Sequence, residues 1–193
     1  MRSALDKLIS GAGFLLVVVL LVAGGLLSWA SVFIGDQVHD QLAMQGITMP
    51  AKDALETQAQ HDALDQYAGQ ELTTGPQAKA FADSYILVHM NAASGNRTYE
   101  QVSGEFIALS DEAKASDEGV ALGQLRQTLF MGDTLRGLLL YGYAFATMGT
   151  IALYAAIASF LGAAVMLVLS LLGLRHARTA TETPSSRVGP ATV

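Results

Sequence analysis

In a chain of 193 residues, 51% are hydrophobic and only 15% charged, where soluble domains carry about a quarter. A wholly water-exposed globule is therefore excluded, and part of the chain is expected in lipid. The formal net charge is −6, and there is no cysteine, so disulfides and thiolate metal sites are excluded as well.

The first apolar element is the uncharged run from Leu8 to Gly35, between Lys7 and Asp36. A helix rises ~1.5 Å per residue, so ~20 apolar residues cross ~30 Å of hydrocarbon, and this run is long enough. Its apolar stretch from Phe14 to Leu27, extended to Ile34, exceeds the hydrophobic region of a cleavable signal peptide. It is expected to stay as an anchor: a cytoplasmic N-terminus over residues 1–10 and a transmembrane helix over 11–35.

Residues 36–136 form an acidic segment, with fifteen Asp and Glu against six Lys and Arg, nine negative charges in balance. Arg2 and Lys7 lie before the first apolar run, and Arg175, Arg178 and Arg187 after the second. Basic flanks stay cytoplasmic, which predicts both termini inside the plasma membrane and residues 36–136 outside the cytoplasm. The acidic balance also argues against nucleic acid as a partner.

Within this segment the punctuation is helical. Pro50 as a first-turn residue and Gly69 as terminator predict a helix over 50–68. Thr74 with Gln77, around Pro76, is a capping box opening a second helix that stops before Gly95. Thr98 with Gln101 repeats the device ahead of Val102. Ser116, followed by Asp117 and Glu118, caps a helix able to run without interruption into the second span. No run of alternating β-branched residues stands out, so the fold class is all-α: two transmembrane helices with an extracytoplasmic helical bundle inserted between them. Val38 and Leu42 on one side, and Leu122, Leu125 and Leu129 on the other, form apolar stripes expected to face each other as a stalk. Gly132 is the weakest point of the second long helix, where a kink is expected.

The second uncharged run, Gly137 to Leu174, has 38 residues, roughly 57 Å as one helix. It therefore combines a span, with about residues 145–170 in lipid, and an extracytoplasmic extension. Gly149, Ala152, Ala156, Ser159, Ala163, Ser170 and Gly173 form one small-residue face, broken only by Met166. The first span has a shorter version in Gly24, Ser28, Ser31 and Gly35. Small faces let helices approach closely in lipid, either between the two spans or in a homo-oligomer through Gly149, Ala152, Ala156, Ser159 and Ala163. Residues 175–193, rich in Thr, Ser and Pro, are expected to be a disordered cytoplasmic tail.

Catalytic signatures are sparse. His39, His61 and His89 lie in the acidic segment, and His61 with Asp62 and Asp65 offers ligand types for a facial iron site. A second histidine would have to come from another helix, however, and His89 shares a face with Ala78, Phe81, Ala82 and Tyr85. No nucleophile elbow, Walker loop, zinc-protease motif or dinucleotide turn is present. Neither span carries an ionisable residue of the kind transporters use. No catalytic, cofactor or metal residue is assigned, and no enzyme activity or cofactor is expected.

The stretches Gln41 to Pro50, Phe81 to Ile86 with His89, and Thr98 to Ser103 resemble a group of two-span membrane proteins of high-GC Gram-positive bacteria, over most of residues 30–145. Members are sometimes labelled aromatic ring-opening dioxygenases. The resemblance implies the two-span layout and that label, without carrying over a catalytic residue, since the histidines supply no converging set. The function expected is a membrane-anchored extracytoplasmic domain that binds a membrane or envelope protein, an envelope component or a cation, as accessory, scaffold or sensor. The alternatives are a metalloenzyme using the external histidines and an oligomeric pore.

Overall fold

The computed structural model describes residues 2–179. Those residues are mostly helical, and no strand occurs among them. In chain order the elements are α1 (Arg2–Ala43), α2 (Gln58–Leu64), α3 (Gly75–Phe81), α4 (Leu87–Ser94), α5 (Tyr99–Ala108), α6 (Asp111–Lys114) and α7 (Asp117–Thr179). A π-helical turn at Ala82–Ile86 joins α3 to α4, and 3-10 turns stand at Lys52–Ala54 and Asp65–Tyr67. Two helices, α1 and α7, are long and apolar enough to cross a membrane. Their most apolar windows are only 22% and 17% buried within the chain, so neither is the sheltered core helix of a globule.

Both long helices extend beyond their apolar runs, α7 from the start that the Ser116 cap predicts. Helix α1 runs from Arg2 to Ala43. Helix α7 begins at Asp117 and ends at Thr179, so residues 175–179 of the stretch expected to be disordered are helical. The remainder of that stretch, 180–193, lies outside the described residues.

The chain divides into two compact units, one of Met1–Ser31 with Thr150–Val193, the other of Val32–Gly149. In the first, α1 and α7 run antiparallel, with Ser10 beside Gly173, Gly13 beside Ser170, Leu20 beside Gly162 and Gly24 beside Phe160. The buried positions on α7 are Ala156, Ala163, Ser170 and Ala177, seven apart. On α1 they are Ser10, Val17 and Gly24, with Gly13 between. A seven-residue repeat keeps one seam in register along two helices. The small-residue face of α7 is thus turned onto the chain's own first helix at Ala156 and Ala163, which are 1% and 2% exposed, while Ala152 and Ser159 are half-buried at its edges. On α1, Gly24 joins the seam and Ser28 and Ser31 are half-buried, whereas Gly35, in the second unit, is exposed.

In the second unit the chain leaves α1 through Gly46, at φ +62°, into a clamp of backbone hydrogen bonds. Met49 N–H donates to Gln70 O (2.8 Å), Gly69 N–H to Met49 O (3.2 Å) and Leu72 N–H to Ile47 O (2.8 Å). Met49 and Leu72 are thereby held in a core with Val38, Leu42, Leu55, Leu64, Phe81 and Leu139. This clamp is why the helix expected from Pro50 does not start there: Met49 is extended, and the next α-helix waits until Gln58. Thr57 is its actual cap, in a capping box with Gln60. The same Thr-x-x-Gln device caps α3 (Thr74, Gln77) and α5 (Thr98, Gln101), as the sequence predicts. Gly95 ends α4 as expected, Gly69 at φ +71° follows the 3-10 turn Asp65–Tyr67 in place of a helix over 50–68, and Ser116 accepts from Gly119 N–H at 3.1 Å at the start of α7.

The leucine stripes do not face each other. Val38 and Leu42 meet Leu139, whereas Leu129, with Leu122 and Leu125 beside it, packs on Met90 of α4 and Val102 of α5. Apolar spacing shows which face is buried, not which neighbour buries it. No kink interrupts the helix assignment at Gly132. Its glycine serves packing instead: a Cβ there would stand 2.5 Å from Met90 Sδ and 2.9 Å from its Cγ.

Candidate functional site

The most distinctive chemistry of the second unit lies where α1 and α7 run side by side. Leu42 approaches Gly142, its Cδ2 3.4 Å from where a Cβ would stand, so this level of α1 matches residues 138–145 of α7. Beside that contact opens a groove of about 410 Å³, floored by Ile34, Val38 and Leu42. One wall is formed by Gln37, Gln41 and Gln45, each four residues from the last and therefore on one helix face. The other wall carries Leu138, Tyr141 and Phe145, which are 55%, 67% and 54% exposed. Nearby on α1 are His39 and Asp40, with side chains 60% and 68% exposed. Large apolar side chains thus stand open at a level where α1 is polar.

A charged cluster lies at the π-helical turn. Asp83 pairs with Lys79 one turn earlier on its own helix and accepts from Arg136 Nη2 on α7 at 2.9 Å. The hydrogen bond from Lys79 holds the Asp83 carboxyl below its ordinary range, against a partial desolvation that works the other way, and Arg136 adds to the lowering. The same contact raises Lys79, whose Nζ stands 5.5 Å from the centre of the Tyr143 ring. An open depression of about 310 Å³ adjoins the cluster, lined among others by Lys79, Asp83, Ser84 and Tyr143. π-Helical turns often occur at functional sites, and this one lies where α3 and α4 are tied to α7.

The three histidines of the acidic segment are each engaged locally. His39 Nδ1 lies 3.3 Å from Asp40, and His61 Nδ1 lies 2.9 Å from Asp65 Oδ1. His89 Nδ1 reaches the Tyr85 carbonyl at 2.8 Å and its ring meets that of Tyr85, which stacks on Phe81. Asp65 is lowered chiefly by the His61 hydrogen bond, with Lys52 contributing. Among the described residues no group of three or more His, Cys, Asp or Glu side chains is placed to share a metal ion. Asp62, grouped with His61 and Asp65 in the sequence, instead accepts from Gln58 Nε2 at 2.8 Å.

Sequence reasoning passed over the groove and the Asp83 cluster. The i,i+4 pair Lys79 and Asp83 and the fourfold spacing of the glutamines were visible, but their partners, Arg136 and the Leu138 to Phe145 wall, lie far along the chain. Comparison with family models, curated proteins and solved structures finds no match to this chain.

Proposed function

We propose that the chain is an integral membrane protein of the plasma membrane, with both termini cytoplasmic and residues 36–136 displayed outside, acting as a non-enzymatic binding module. Two helices long and apolar enough to span support the anchor, and the basic flanks with the acidic intervening segment support the orientation. The observation that carries the binding role is the groove. Leu138 and Tyr141 are more than half exposed, outside the stretch of about residues 145–170 expected in lipid and at the level of His39 and Asp40, where α1 is polar. Exposed contiguous apolar surface on such a domain marks an interaction site. The Asp83 cluster fits a bracing role, fixing α3 and α4 to α7 behind that groove.

The test is solvent shielding in place. The native chain has no cysteine, so a Leu138→Cys variant carries one thiol. In intact membranes a membrane-impermeant maleimide should label it at least about tenfold more slowly than a thiol placed at the exposed Glu100, because a bound protein covers the groove. Equal labelling rates overturn the binding role.

A further inference from the structure

The groove's chemistry also narrows what covers it. Its eleven lining residues carry no charge at all, although residues 36–136 hold fifteen acidic and six basic side chains. Its polar members are three glutamines and a tyrosine. A glutamine amide carries both donors and acceptors, and a tyrosine hydroxyl does both, so each can hydrogen-bond to another of its own kind.

Resting on the binding role just proposed, we infer that the occupant is a second copy of this chain, seated groove to groove about a two-fold axis along α1 and α7. Copies inserted in one membrane point the same way, so the axis relating a pair runs along the membrane normal and the interface is self-complementary. Each residue near such an axis meets its own counterpart. An Asp or Lys there would face its like across a few ångströms, a repulsion that the groove's composition avoids. The alternation of Gln37, Gln41 and Gln45 with the Ile34, Val38 and Leu42 floor gives polar pairs at the edges and apolar contact between them. A basic peptide finds no counter-charge on the lining. The exposed stripe continues along α7 at three- and four-residue steps through Met131 and Thr134 to Met148, the period by which paired helices pack. Two α1/α7 pairs then complete a four-helix arrangement.

The full-length chain in native membranes tests this by disulfide mapping. Disulfides need Cα atoms within ~7 Å. Gln41→Cys and Tyr141→Cys, placed in the groove, are expected to give about tenfold more linked homodimer under mild oxidation than His39→Cys and Thr147→Cys, exposed positions on other faces of the same helices. In the Tyr141→Cys background, Gln41→Glu or Gln41→Lys alone should lower the yield several-fold, and co-expression of the two should restore it; a structural defect would not be rescued. Equal yields at all four positions, or no rescue, overturn the homotypic pairing. Unlinked groove thiols that remain shielded from maleimide overturn the second copy as occupant while leaving the binding role standing. Unlinked thiols that label freely overturn both.

Discussion

Gly132 offers the sharpest test of how the second unit is packed. A Gly132→Ala substitution in an isolated helix would stabilise it by ~1 kcal/mol. Here the new Cβ would fall 2.5 Å from Met90 Sδ and 2.9 Å from its Cγ, closer than side-chain atoms tolerate. Met90 is itself buried against Val102 and Leu129, so it cannot simply swing away. Overpacking of this kind costs ~1–3 kcal/mol, which leaves Gly132→Ala neutral to ~2 kcal/mol destabilising once the helix gain is subtracted. Met90→Ala alone should cost ~2–5 kcal/mol through the cavity it leaves. In that background the obstruction is gone, and Gly132→Ala should stabilise by ~1 kcal/mol. The sign of one substitution thus reverses with the residue at 90, a coupling readable from reversible denaturation of the four variants in detergent. If Gly132→Ala has the same effect in both backgrounds, the close approach of α4 to α7 at this point is wrong.

Other perturbations follow from single contacts. Asp83→Asn removes the carboxylate that Lys79 and Arg136 share; because the group is partly exposed, the loss should be about 1 kcal/mol at neutral pH. Asp83 is lowered in the folded chain from its ordinary value of 3.8. Its contribution is therefore full above that value and is lost as pH falls through the lower folded one, so the stability gap between wild type and Asp83→Asn should be constant above about pH 5 and shrink progressively as the pH is taken below 3.8. Thr57→Ala should cost ~1 kcal/mol and Thr57→Ser much less, measured by thermal unfolding, if the cap of α2 is Thr57 and not Pro50. Ala163→Leu should destabilise by ~1–3 kcal/mol, since its site on the α1/α7 seam has no room for a larger side chain. A neutral result there would mean the face looks onto lipid.

What was legible in the sequence is what is settled within a few residues. The Thr-x-x-Gln boxes at Thr74 and Thr98 act through hydrogen bonds spanning three positions, so their helices start where the spacing says. Long uncharged runs give long helices for the same local reason. Pro50 misled because the choice there is made by Gln70 and Leu72, some twenty residues on, whose clamp with Ile47 and Met49 keeps the backbone extended. Thr57 and Gln60 have the same Thr-x-x-Gln spacing as the other two boxes and mark the start of α2. The Leu122 to Leu129 stripe showed a buried face but not its partners, Met90 and Val102. Gly132 could be read as a weak point or as a close approach, and only Met90 decides between them. The candidate site fared similarly: glutamines at 37, 41 and 45 are unremarkable until Leu138, Tyr141 and Phe145 are brought alongside.

The two-span arrangement with an external domain is tested most directly by thiol mapping in intact cells. Because the native chain has no cysteine, single thiols at Asp53, Glu100 and Glu118 report on the acidic segment, and one at Thr179 on the end of α7. A membrane-impermeant maleimide should label the first three in whole cells and reach Thr179→Cys only after lysis. Labelling of Thr179→Cys in whole cells, with Asp53→Cys and Glu100→Cys protected until lysis, would contradict the arrangement.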